Sequence, residues 1–328
     1  MSEIPATAVE IASLSHVGRV RASNQDSYGE FANGAGWRAL VVADGMGGHQ
    51  GGEVASRIAV DTIGNVLGAS HEEPEQSLRK AFLAANERIF EVASSNPRYA
   101  GMGTTGVALL LAATGDAWVA HVGDSRAYVF RDGKLTALTA DHSYVAELQR
   151  RGFLSAAEAA VHPRRNEVLR SIGGEPDLDV EIRPVVARPG DCFLLCTDGL
   201  WGCVPESELV GALANARPQD AVRMLVDLAN HHGGPDNVTV QLARIPEPTN
   251  AAAGIRAGAE TDRAAAEKAY ARRQSRIRRV AIAASLLAAA LVAALLWFFL
   301  HFAAERLPSP PGAPPAALPA PLPAKNRL

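Results

Sequence analysis

Residues 105–133 read TGVALLLAATGDAWVAHVGDSRAYVFRDG, and the fold turns on how they are parsed. Three apolar runs, at 105–113, 117–122 and 127–131, are short and broken by Gly and Asp, which is the punctuation of strands. The dipeptide Asp132-Gly133 that follows is a hairpin signal, because both positions tolerate the positive φ of a tight turn. Working outward, further strands are expected at 8–14, 39–43, 192–197 and 238–242. Helical patterns cover 52–67, 74–94, 142–151, 206–214 and 218–230. Strands come in hairpin-like groups with helices between the groups. That arrangement points to an α+β layered fold with largely antiparallel sheets.

The 328 residues are 48% hydrophobic and 20% charged, which excludes a wholly disordered or collagen-like chain. The net charge of −3 conceals a division. Residues 1–246 carry 21 Lys and Arg against 30 Asp and Glu, whereas residues 247–328 carry 11 against 5. An acidic folded part cannot neutralise a phosphate backbone, so non-specific nucleic-acid binding is excluded. Acidic clusters suit hard divalent cations instead. The three cysteines, Cys192, Cys196 and Cys203, form no CxxC pair. Cys192 and Cys196 would stand about 13 Å apart on one strand, too far for a disulfide, so a reducing compartment is expected. Residues 1–10 have no basic n-region or apolar h-region, and no secretory signal is expected.

Four segments follow from this reading. Residues 1–246 form one folded domain, and 247–279 a juxtamembrane linker that ends in Arg272, Arg273, Arg276, Arg278 and Arg279. Residues 280–303 are expected to be a transmembrane helix. Positions 280–300 hold 21 residues without a charge, about 31 Å as a helix, which matches a bilayer core. A helix lying on the membrane would need a polar face, and this one has none. Residues 304–328 are a Pro/Ala-rich tail, with eight prolines from 307 onward. The arginine cluster places the large domain on the cytoplasmic side of a single-pass cell-membrane anchor.

Five carboxylates share a setting at the ends of apolar runs: Asp26, Asp44, Asp124, Asp198 and Asp236. One Asp-Gly after a strand is ordinary turn chemistry, as at Asp132-Gly133. Five gathered at one rim would repel one another and raise each other's pKa, a conflict that a divalent cation relieves. With no Cys or His at metal spacing, Mg²⁺ or Mn²⁺ fits better than Zn²⁺.

The wording of the motifs carries a resemblance. Arg21-x-x-Asn24-Gln25-Asp26, Asp44-Gly45-Met46-Gly47-Gly48-His49, Gly103-Thr104-Thr105, Val122-Gly123-Asp124-Ser125-Arg126, Thr197-Asp198-Gly199-Leu200-Trp201 and Asp236-Asn237-Val238-Thr239 occur in order. Together they resemble the metal-dependent protein phosphatases of the 2C class, bacterial branch, over residues 8–244. The resemblance implies a four-layer α-β-β-α sandwich of two antiparallel sheets flanked by helices, with a binuclear metal centre at one end. It implies hydrolysis of phosphoserine and phosphothreonine in proteins by a metal-bridging water, opposing a Ser/Thr kinase in signalling. Phosphorylated proteins, kinases and their substrates among them, would then be the partners.

Carried over residue by residue, Asp44 resembles the carboxylate bridging two divalent cations, and the Gly45 carbonyl a further ligand. Asp198 and Asp236 resemble the other direct ligands, and Asp26 a carboxylate acting near the metals through water. Asp124 resembles the residue that joins Asp198 at a weaker third metal. Arg21 resembles the phosphate-binding guanidinium, whose fork suits two phosphate oxygens. Many eukaryotic relatives place His directly after the Asp-Gly, as acid for the leaving oxygen, whereas this chain has Met46. His49 and His162 are the two candidates for that role, His162 lying in the segment that resembles the mobile flap. Two other readings compete. A membrane-tethered phosphoprotein-binding pseudophosphatase should have lost a ligand carboxylate, and a two-metal phosphodiesterase usually recruits His ligands.

Overall fold

The hairpin expected at Asp132-Gly133 forms. Asp132 and Gly133 have φ of 51° and 75°, and they join β7 (Arg126–Arg131) to β8 (Lys134–Ala137) with Arg131 opposite Lys134. A computed structural model of the chain describes residues 9–247 apart from Ala35, Ala113 and Thr114. The expected linker, membrane helix and proline tail lie outside the described residues. Among the described residues no helix is long and apolar enough to cross a membrane.

Two antiparallel sheets are present. The first places β1 (Glu10–His16), β11 (Val238–Arg244), β10 (Cys192–Cys196), β7 and β8 side by side in that order. The second runs β2 (Asp26–Ala32), β3 (Arg38–Met46), β5 (Gly106–Leu111), β6 (Asp116–Val122), β9 (Glu181–Val186), with the two-residue β4 (Gly103–Thr104) paired to the end of β3. The central strands are buried along nearly their whole length because both of their faces are covered. Leu40, Val42, Val107 and Leu109 of the second sheet share one core with Val129, Phe193 and Leu195 of the first. The outer face of the second sheet, with Val41 and Ala108, packs on α1 (Gly48–Ala69) and α2 (Pro74–Ser95) through Ile63 and Phe82. The outer face of the first, with Leu194 and Val240, packs on α6 (Glu206–Asn215) and α7 (Pro218–His231) through Leu213 and Leu225. The layers are therefore helix, sheet, sheet, helix.

Three strands escaped the sequence pattern, and β8 was signalled only by the turn before it. β2 reads DSYGEFA, and only its first residue is buried, so it has no apolar run to betray it. β9 contains Pro184 and survives as an edge strand, where a missing N–H costs no ladder bond. β4 and β8 have two and four residues. Between β8 and β9 lie α3 (Tyr144–Arg150) and α4 (Ala156–Ala160); a capping box between Ser155 and Glu158 starts the latter. The four-residue α5 (Asp198–Trp201) opens directly after β10.

Candidate metal centre

Connectivity brings the carboxylates together. The end of β3, the start of β2, the start of β5 and the end of β6 share one rim of the second sheet, since Asp26 is opposite Asp44 and Gly106 opposite Val122. In the first sheet, the end of β10 and the starts of β7 and β11 share a rim, because Cys196 is opposite both Arg126 and Val240. The chain crosses from one sheet to the other through Gly123-Asp124-Ser125, so the two rims lie at the same end of the sandwich. Gly123 makes the crossing with φ of 100°, in the left-handed region that favours glycine. Hydrogen bonds then bind the rims to each other. Thr197 after β10 and Thr239 on β11 both donate to Asp26 Oδ2 on β2, at 2.9 and 2.7 Å.

All five predicted carboxylates meet here. Burial is the main force raising Asp26 to about 7, with Asp198 and Asp236 adding repulsion against the two threonine hydroxyls. Burial likewise raises Asp124 to about 7, helped by Asp198, and Asp198 to about 6, helped by Asp236. Asp44 is pushed well above the carboxylate range by burial and then by Asp26, Asp198, Asp124 and Asp236. Asp44 and Asp198 are close enough to share a hydrogen bond. Two buried oxygens, Asp26 Oδ1 and Asp198 Oδ1, have no hydrogen-bond partner in the protein. Concentrated negative charge with unpartnered oxygen acceptors fits hard divalent cations, which take carboxylate and carbonyl oxygens as ligands. Gly45 adds a constraint of its own: a Cβ there would overlap the Gly52 carbonyl on α1, so the end of β3 can approach the helix only as glycine.

Arg21 stands at the rim, half-exposed, and its Nη2 donates to Asp236 Oδ2 at 2.6 Å. His162 follows α4, lies tilted against Tyr144 with ring centroids 5.7 Å apart, and accepts at Nδ1 from the Arg164 N–H at 3.1 Å. Neither of these His162 contacts is with a carboxylate of the cluster. The His49 side chain falls outside the described set.

The supporting residues stand in the quoted motifs, but the sequence assigns them no role. Asn237 accepts from the Gln25 N–H at 2.8 Å and donates to the Val17 and Ser23 carbonyls, which staples the segment carrying Arg21 and Asp26 to β11. Thr105 Oγ1 bonds the Asp44 N–H at 2.9 Å and Ser125 Oγ at 2.7 Å, and Thr104 donates to the Asp44 carbonyl. Trp201 donates from its indole to the Asp124 carbonyl at 3.1 Å, with Arg126 stacked on its ring and paired with Asp141. The available signal was polarity inside apolar strands: Thr239 and Gln241 are fully buried on β11.

Comparison with known proteins gives concordant matches. Residues 15–245 match the family model described as Protein phosphatase 2C. The serine/threonine phosphatase stp of Listeria welshimeri is 40% identical over 231 residues, 69% of this chain and 91% of that protein. The crystal structure of the Mycobacterium tuberculosis serine/threonine phosphatase PstP/Ppp is similar with a TM-score of 0.68 at 36% identity, covering 73% of this chain and 99% of that one. The catalytic domain of the serine/threonine protein phosphatase PstP in complex with two manganese ions is similar with a TM-score of 0.66 at 34% identity, covering 73% and 99%.

Proposed function

Because the chain belongs to the protein phosphatase 2C family and is a metal-dependent protein serine/threonine phosphatase, we propose a division of labour among the residues of its carboxylate cluster. Two divalent cations, Mn²⁺ or Mg²⁺, serve the reaction. Asp44, the Gly45 carbonyl, Asp198 and Asp236 would hold them, with Asp26 acting through water. Asp124 and Asp198 would share a weaker third. The observation that carries this assignment is the set of mutually repelling, buried carboxylates with two oxygens left unpartnered. When bound, the cations lower the pKa of the attacking water and offset phosphoryl charge.

The protein's own groups do the rest. Thr197 and Thr239 fix the Asp26 carboxylate so that one oxygen faces the cluster. Arg21 is half-exposed and, among the described residues, its ion pair is with Asp236, which leaves its guanidinium fork able to turn onto two oxygens of an incoming phosphoryl group. His162 protonates the leaving serine or threonine oxygen after the segment bearing α3 and α4 shifts towards substrate.

The partners are phosphorylated proteins, and the enzyme opposes a Ser/Thr kinase in signalling. Residues 1–246 form the catalytic domain. The apolar run at 280–303 anchors it as a single-pass protein of the cell membrane, and the arginines at 272–279 keep it on the cytoplasmic side. The test compares a phosphothreonine peptide with an aryl phosphodiester under added Mn²⁺. Hydrolysis of the peptide alone is expected. Preferred cleavage of the diester would move the enzyme to another class.

A further inference from the structure

We propose that His142 is a positioning residue, which fixes the turn that presents Asp124 to the carboxylate cluster. This role rests on Asp124 serving the weaker third cation together with Asp198. The turn needs support from outside. β6 ends at Val122, whose ladder partner is Gly106, and β7 begins at Arg126 in the other sheet. Gly123, Asp124 and Ser125 lie between two ladders and belong to neither. A carboxylate carried there keeps its place only if other groups hold the backbone.

His142 supplies that hold. Its N–H donates to the Gly123 carbonyl at 2.9 Å, and its Nδ1 accepts from the Gly123 N–H at 3.2 Å. Both polar backbone atoms of the residue before Asp124 are thus bound to one residue. A backbone N–H can only donate, so Nδ1 offers the lone pair and Nε2 carries the ring proton. Nε2 faces Glu181 Oε2 at 3.5 Å. Burial lowers the pKa of this ring, with His121 adding to the effect, so the ring is neutral at pH 7 and Nδ1 stays an acceptor. The His121 ring stacks on it at 4.5 Å between centroids and helps to set its plane.

The residues just before His142 work on both sides of the same carboxylate. The Ala140 carbonyl accepts from His121 Nε2 at 2.9 Å, three positions before Asp124. Asp141 takes the fork of Arg126, two positions after Asp124, at 2.8 and 2.7 Å. Three successive residues, 140 to 142, therefore bracket Asp124, and His142 is the member of the set that bonds the turn itself.

His142 is itself firmly seated. Its carbonyl accepts from the Leu169 N–H at 2.7 Å, and the Tyr144 N–H donates to the Glu167 carbonyl at 2.9 Å. The two ends of the segment bearing α3 and α4 are joined there, beside Gly123.

The test uses variants of the full chain. His142→Leu keeps the bulk and removes the acceptor. His142→Asn restores it, since Asn Oδ1 stands one bond beyond Cγ, as Nδ1 does. If His142→Leu does not fold, His142→Gln takes its place, because its oxygen lies one bond further from the backbone. Hydrogen exchange at Gly123 in the metal-free chain reads the tether, and phosphothreonine-peptide kinetics in Mn²⁺ read its consequence. His142→Leu should speed that exchange and lower kcat about tenfold, one hydrogen bond's worth, with KM unchanged. His142→Asn should recover most of both. In an Asp124→Ala background, His142→Leu should cost nothing further. Equal losses in both backgrounds would overturn the role, as would a His142→Asn chain no better than His142→Leu. An Asp124→Ala chain that turns over at the wild-type rate would remove the third-cation assignment, and this role with it.

Discussion

Asp198 is the residue on which the others converge, since it perturbs Asp26, Asp44 and Asp124 and is itself raised by Asp236. Asp198→Asn keeps the shape and removes one charge. Turnover of a phosphopeptide should fall about a hundredfold or more, because charge that stabilises the transition state is lost while folding is spared. Arg21 plays a different part. In the proposed role its interaction with phosphate would be present before as well as during reaction, so Arg21→Ala should raise KM about tenfold, one charge-assisted hydrogen bond's worth, and change kcat little. Steady-state kinetics on both variants checks the pair. A fall in kcat with unchanged KM for Arg21→Ala would assign it a transition-state role instead.

Among the elements, the β7–β8 hairpin offers a clean test of local chemistry. Gly133 sits at φ of 75°, with open space where a side chain would go, so Gly133→Ala meets only the left-handed backbone penalty. Stability should drop by about 1 kcal/mol in chemical denaturation, with activity per folded molecule unchanged. A loss of several kcal/mol would mean that the turn does more than reverse the chain. This hairpin was legible from two residues because its chemistry is local. Strands such as β5 and β10 were legible because burial on both faces leaves an unbroken apolar run. β2 was not, for only Phe31 of its side chains packs on an apolar core and the strand is held to β3 by main-chain bonds, with no apolar run to mark it. The five carboxylates could be found by their position at strand ends. Asn237, Thr197 and Thr239 could not be given their roles, because a hydrogen bond between residues 171 or 213 positions apart depends on how two sheets stack.

For the whole molecule, the raised carboxyls fix a pH dependence. Asp26 and Asp124 lie near 7 and Asp198 near 6 in the folded, metal-free chain, against 3.8 for an unperturbed carboxyl. Between about pH 4 and 7 the folded chain therefore holds protons that the unfolded chain has released, so its stability falls as pH rises through that window. Cations held by the cluster would replace those protons. The thermal midpoint without metal should thus decline from pH 5 to pH 7.5, and the gain on adding Mn²⁺ should be larger at pH 7.5. An equal gain at both values would mean that the cluster does not take up the metal. At the same scale, removing residues 280–328 should shift the protein from the membrane to the soluble fraction with kcat unchanged, as cell fractionation would show. Continued sedimentation with membranes would place the anchor elsewhere.

One cluster, built where two sheets share a rim, would hold the cations that make this chain a phosphatase. Its most direct test follows phosphothreonine-peptide hydrolysis while the chelated, metal-free chain is titrated with Mn²⁺. No turnover is expected at the start, with recovery as about two equivalents bind and no recovery for Asp44→Asn at the same metal concentration. Full-rate hydrolysis by the metal-free chain, or by Asp44→Asn, would contradict it.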